Sequence, residues 1–174
     1  MDDLVAFGSR TYFTLLALMT FARGADFLST WIATPNLVLE GNPLVRKLGW
    51  TWSALLNLAL CGGFAAWPLA AIIIITTSLL VASRNFQSAW LMRSLGEEAY
   101  RRWYVEQLLQ ANIVVYLFCL AGQTLLTAAV GGTLMLFYNG LLIPFAVGMG
   151  IVAYAAAVLL FTLLSVWRIR RSAD

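Results

Sequence analysis

Residues 48–83 read L-G-W-T-W-S-A-L-L-N-L-A-L-C-G-G-F-A-A-W-P-L-A-A-I-I-I-I-T-T-S-L-L-V-A-S, with no charged side chain among them. As one helix this run would rise about 54 Å at ~1.5 Å per residue, nearly twice the ~30 Å of a bilayer's hydrocarbon. Gly62-Gly63 and Trp67-Pro68 interrupt it near the middle. The expected reading is a tight hairpin of two short helices, residues 48–64 and 67–83. One long proline-kinked helix, standing partly outside the bilayer, is the alternative.

Working toward the amino end, residues 11–34 form a further apolar run of spanning length, but with Arg23 and Asp26 near its middle. A charge at that depth costs roughly 2.5–3.5 kcal/mol on insertion scales, so each needs a partner or water. Their i,i+3 spacing puts them on one helical face, with Thr30 four residues beyond Asp26. Pro35 disfavours helical geometry at Thr34 and ends the helix there. Asn42-Pro43 then reads as a helix start, Asn as N-cap and Pro at the first helical position. Glu40 lies just ahead, near the positive end of that helix dipole.

Toward the carboxyl end, residues 84–110 change character. Arg84, Arg93, Arg101 and Arg102 are interleaved with Trp90, Tyr100, Trp103 and Tyr104. Ser94-Leu95-Gly96-Glu97 fits a capping box, and Glu97–Arg101 and Glu98–Arg102 are i,i+4 pairs. The mixture suits an amphipathic helix on the membrane surface, with Arg93, Arg101, Arg102, Trp90 and Trp103 as contacts for lipid or partner. Three glutamates offset the four arginines, which argues against nucleic acid. Residues 111–137 and 142–167 read as two long helices joined at Tyr138-Asn139-Gly140. Thr124, Ala128 and Gly132 on the first, and Ala146, Gly150, Ala153 and Ala157 on the second, offer small-residue faces for close packing in lipid.

The composition agrees with this reading. The chain is 61% hydrophobic and 11% charged, against roughly 45–50% and 25% in soluble domains. It has no histidine, which removes imidazole metal sites, histidine-ligated haem and Ser-His or Cys-His nucleophile pairs. Ser29, with neither histidine nor intramembrane lysine to activate it, does not make an intramembrane hydrolase. Cys61 and Cys119 lie in apolar runs and read as small buried hydrophobes. Met1-Asp2-Asp3 lacks the positive region of a signal peptide, so the amino end is expected to be retained.

Asp26, Ser29-Thr30 and Glu40-x-Asn42-Pro43 together resemble a family of small prokaryotic membrane proteins of unknown function. Its members look like three-helix units with D-x-x-[ST]-T in the first helix and E-x-N-P in the following loop. The likeness covers residues 11–83; Arg23 is outside the pattern, and residues beyond 84 have no counterpart in it. It implies the hairpin reading of 48–83 and a prokaryotic inner membrane, and brings no activity with it.

The expected fold is therefore an all-α, polytopic membrane helix bundle with five transmembrane helices and one interfacial amphipathic helix. Residues 1–83 form an N-terminal membrane unit, 84–110 a cytoplasmic interfacial helix, and 111–174 a transmembrane hairpin with a basic tail. Arg168, Arg170 and Arg171 place the carboxyl terminus in the cytoplasm, and five spans then put the amino terminus outside. Four spans would leave Arg46-Lys47 on the wrong side. The candidate polar site is Arg23, Asp26, Thr30, Glu40 and Asn42, with no metal or cofactor. It admits two readings: a structural lock between helices, or a cation or proton site. The first goes with a non-enzymatic accessory or scaffolding subunit that binds lipid, other membrane subunits or copies of itself. The second goes with a small ion- or proton-coupled transporter or channel.

Overall fold

A computed structural model describes residues 4–39 and 43–172. Among the described residues there are six helices: α1 (Arg10–Ala33), α2 (Pro43–Phe64), α3 (Pro68–Leu95), α4 (Glu97–Gln110), α5 (Ile113–Leu136) and α6 (Leu142–Arg171). The Ser9 hydroxyl caps α1 by accepting from the Tyr12 N–H, and α1 ends at Ala33, ahead of Pro35. The uncharged run at 48–83 is two helices that turn at residues 65–67, with Pro68 opening α3. The expected break into two helices is the one the chain adopts, and the single kinked helix is not.

Three boundaries differ from the sequence expectations, each for a local reason. The second helix begins at Pro43, the helix start expected there, so it extends ahead of the 48–64 bounds of the apolar run, and it is broken at Gly49, whose φ of 71° is the left-handed region that a glycine enters without steric cost. The third does not stop at 83 but runs unbroken to Leu95, through Arg84 and Arg93, because no proline or glycine intervenes before Gly96. Gly96, φ 81°, then turns the chain into α4, which leaves only residues 97–110 as a separate helix. The capping box does not form: Ser94 Oγ donates to the Trp90 carbonyl, and Glu97 turns elsewhere. The Glu97–Arg101 and Glu98–Arg102 pairs are likewise unmade; among the described residues, Arg23–Asp26 is the ion pair present.

The helices alternate in direction. At one end the Val5 N–H donates to Ala66 O (2.9 Å) and the Tyr12 hydroxyl to Gly62 O (3.0 Å), so the start of α1 sits beside the α2–α3 turn. At the other end Glu97 reaches the loop after α1. Helices α1 and α3 are therefore parallel, and α2 returns between those two ends. Gly150 of α6 lies against Ile73 O and Thr76 of α3, and further along Phe161 of α6 shares a cleft lining with Val81, Asn85 and Met92 of α3; contacts advance together along both helices, so α6 is parallel to α3 as well. Helix α5 returns antiparallel through Asn139 (φ 47°) and Gly140 (φ 79°), the expected Asn-Gly turn.

Beside a core cluster of Tyr12, Leu15, Met19 and Cys61, much of the interior is small side chains. Ala22, Ala71 and Ala146 are fully buried, and Ala82, Ala89 and Ala155 nearly so, whereas Phe118, Leu126 and Leu136 are more than 70% exposed. Water would punish that arrangement; lipid does not, because in a bilayer close backbone approach replaces the hydrophobic drive to bury Leu and Phe. The tightest approach is Gly131 to Gly148. A Cβ on Gly131 would meet Gly148 O at 2.7 Å, and one on Gly148 would meet Gly131 O at 2.6 Å. The small-residue face of α5 thus centres on Gly131 and the buried Thr124, one position from the expected Gly132, which has nothing within 4 Å of its Cβ position. On α6, Ala146 and Gly150 are buried as expected, while Ala153 is exposed.

Helices α3, α5 and α6 are long and apolar enough to cross a membrane. That is three, where five spans are expected from sequence. Helix α1 has 24 residues, as many as α5, whereas the 22 residues of α2 include the break at Gly49. Arg10, Arg23 and Asp26 in α1, and Arg46, Lys47 and Asn57 in α2, lower their hydropathy.

Candidate functional site, a polar cleft in the N-terminal three helices

Arg23 is the hub. Its Nη1 donates to Asp26 Oδ2 at 2.9 Å and to Ser78 Oγ at 3.3 Å, and its Nε donates to Asn57 Oδ1 at 2.7 Å. A second donor, Nη2, also reaches Asn57 Oδ1. One guanidinium thereby ties α1 to both α2 and α3, with the planar fork that only arginine offers. Asn57 Nδ2 donates to Ser53 O, one turn back on the same helix (2.8 Å), which fixes the amide so that its oxygen faces the guanidinium.

A second polar rung lies one to two turns along α1. Asn85 Nδ2 donates to Ser29 Oγ and Thr30 Oγ1, both at 3.3 Å, while Ser29 Oγ donates back to Asp26 O. A third rung closes the helix end. Glu97 accepts from Thr34 Oγ1 (2.5 Å), from the Asn36 N–H and Nδ2 (both 2.9 Å) and from the Val38 N–H (3.0 Å). Partial burial works to raise the Glu97 pKa, but these hydrogen bonds to Thr34, Asn36 and Val38 together hold it below its ordinary value. Trp50 Nε1 adds a bond to Pro35 O, so the loop leaving α1 is held from both α2 and α4.

Between these rungs and α2 lies a cleft of about 620 Å³, within the range of small-molecule sites. Arg23, Asp26, Thr30, Ser53, Asn57 and Asn85 line its polar side, and Leu48, Leu56, Leu60, Val81 and Phe161 its apolar side. Ser53 is 2% exposed, and its hydroxyl has no hydrogen-bond partner.

Of the sequence-predicted site, Arg23, Asp26 and Thr30 come together here, while Glu40 and Asn42 lie outside the described residues. Sequence reasoning missed Ser53, Asn57, Ser78, Asn85 and Glu97. A signal was present: Ser53 and Asn57 at i,i+4, and Ser78 and Asn85 at i,i+7, each share one face of a mainly apolar helix.

No family model, curated protein or solved structure matches this chain.

The expected surface contacts form a separate region. Arg93, Arg101, Arg102, Trp90 and Trp103 are all exposed, Trp90 and Arg93 on the last turns of α3 and the others on α4. Tyr100 stacks on Tyr104 with centroids 6.2 Å apart and meets Trp103 at 5.7 Å. Burial, and then the neighbouring Tyr116 hydroxyl, push the Tyr104 phenol well above its usual pKa. Arg170 is more than tail: its Nη2 donates to Leu108 O (3.2 Å) and Ala111 O (3.0 Å), satisfying carbonyls at the end of α4.

Proposed function

We propose that this chain is a small non-enzymatic integral membrane protein that serves as an accessory or scaffolding subunit in a prokaryotic cell membrane. The observation that carries the reading is the use of Arg23. An intramembrane cation is a functional candidate by default, yet here its donors go to Asp26, Asn57 and Ser78 of its own chain and join three helices. Its charge serves architecture. The apolar residues exposed along α5 and α6 and the arginine-aromatic surface of α4 supply faces for lipid and for partner chains.

Five crossings, by α1, α2, α3, α5 and α6, with α4 on the cytoplasmic surface, are part of the proposal. Support comes from the alternation of helix direction and from charge. Arg46, Lys47, Arg93, Arg101, Arg102, Arg168, Arg170 and Arg171 gather at the end where α1, α3 and α6 finish, and Arg10 is at the opposite end. That asymmetry supports a cytoplasmic location for the basic end. The internal Arg23–Asp26 neutralisation removes the main objection to α1 as a span.

A second reading, a proton- or ion-coupled carrier, is favoured by Asp26 lining the cleft. Purification from native membranes in mild detergent separates the two. The accessory reading expects a stoichiometric partner with the wild type, lost several-fold when Arg101 and Arg102 become Gln and Trp103 becomes Ala. A wild-type chain that purifies alone and drives proton or cation flux in liposomes refutes it in favour of the carrier. A chain that purifies alone as a monomer and drives no flux refutes both.

A further inference from the structure

We infer that the cleft between α1, α2 and α3 is a binding site for the head of a single-chain amphiphile, a head that is uncharged and bears hydroxyls. Three features of the cleft set that chemistry, and none depends on the accessory role.

The first is charge. The cleft's cation and its Asp26 neighbour are bonded to each other at 2.9 Å. An anionic head would meet Asp26, a cationic head would meet Arg23, and either would have to break a pair already made in low dielectric. A neutral head meets neither penalty.

The second is unmet hydrogen bonding. Ser53 Oγ is buried in the cleft wall without a partner. Leaving a buried hydroxyl unmatched is costly, and a polar group on a ligand seated in the cleft would relieve that cost. Asn85 commits its Nδ2 to Ser29 and Thr30, while its amide oxygen accepts nothing among the described residues. The Asn85 oxygen needs a donor and the Ser53 hydroxyl can either donate or accept, so a ligand hydroxyl serves both, whereas a carboxylate, which only accepts, leaves the Asn85 oxygen unmatched.

The third is the way in. Leu56, Leu60 and Phe161 line the cleft and are 46–64% exposed, so its apolar wall is not closed off by other helices. The cleft therefore opens sideways, between α2 and the α3–α6 face, into the region where acyl chains lie. A ligand entering there carries its own apolar tail. The volume of about 620 Å³ holds a head and part of one chain.

The test uses the full chain in nanodiscs and a monoacylglycerol with a photoreactive group near the head. Labelling is expected to be saturable, competed by unlabelled monoacylglycerol but not by free glycerol, and to fall on peptides containing 53–60 and 81–85. Ser53→Ala should lower the apparent affinity about fivefold, the loss of one hydrogen bond. Ser53→Leu, which fills the cleft, should abolish site labelling while incorporation elsewhere persists. The wild-type measurements stand even where a variant fails to fold. Labelling spread evenly over α5 and α6 and not competed overturns the site. Stronger competition by the matching lysophosphatidic acid overturns the uncharged head, and competition by free glycerol at equal concentration overturns the need for a tail.

Discussion

Replacing Arg23 by Leu removes the hub, and the structure says how much should be lost and how to recover it. Asp26 loses its guanidinium partner, and Asn57 Oδ1 loses both its donors. Breaking a buried pair from one side costs about 3–5 kcal/mol. Here the side chains of Arg23 and Asp26 are 30% and 16% exposed to an open cleft, which places the loss at the low end, about 3 kcal/mol. Adding Asp26→Leu removes the second charge and should return most of it, leaving a deficit of ~1 kcal/mol from the unmatched Asn57 oxygen. Adding Asn57→Leu as well should bring the protein close to wild type, since the amide's other bond goes to a carbonyl of its own helix. Unfolding by SDS titration in mixed micelles, followed by circular dichroism and tryptophan fluorescence, measures the four proteins. A double mutant less stable than Arg23→Leu alone would refute the reasoning, because neutralisation would then not be what Arg23 does for Asp26.

Glu97→Gln should loosen the loop after α1. Its depressed pKa means the carboxylate stabilises the fold above the usual glutamate range and loses that contribution as pH falls through the lower folded-state value; amide-exchange protection at Asn36 and Val38 should therefore fall on acidification in wild type and be low and flat in the variant. Gly148→Ala should destabilise by roughly 1–3 kcal/mol, because the new Cβ meets a backbone carbonyl that cannot move aside. Gly132→Ala, with open space at its Cβ, should cost nothing measurable by the same SDS titration. For topology, single cysteines replacing Lys47 or Ser172, in a background lacking Cys61 and Cys119, should both resist an impermeant thiol reagent in intact cells, and one replacing Phe7 should react; labelling at 47 with protection at 172 would establish four spans.

Why some features were legible and others not follows from the range over which each is decided. The turn at Asn139-Gly140, the stop before Pro35 and the break ahead of Pro68 rest on φ preferences and a missing N–H, which act within two or three residues. The Arg23–Asp26 pair was legible for the same reason, as i,i+3 neighbours on one helix. The capping box at Ser94 fitted a pattern equally local, but Glu97 found four donors in the loop after α1, and a distant loop that needs an acceptor outcompetes one backbone N–H.

By itself, then, the sequence determined that this is an all-helical chain made for lipid. Hydropathy and helix length are sums over contiguous residues, and no contact is needed to evaluate them. The tertiary structure decided which helices share Arg23, which glycines meet, and where the cleft opens. Asn57 lies 34 residues from Arg23 and Ser78 lies 55 from it, and the polar stripe on which each sits marks a face of its helix but not the residue that face will meet. Their role arises only once close packing over Ala22, Ala71 and Ala146 brings the helices together, because the cost of an unpaired group in low dielectric then selects whichever partner is within about 3 Å.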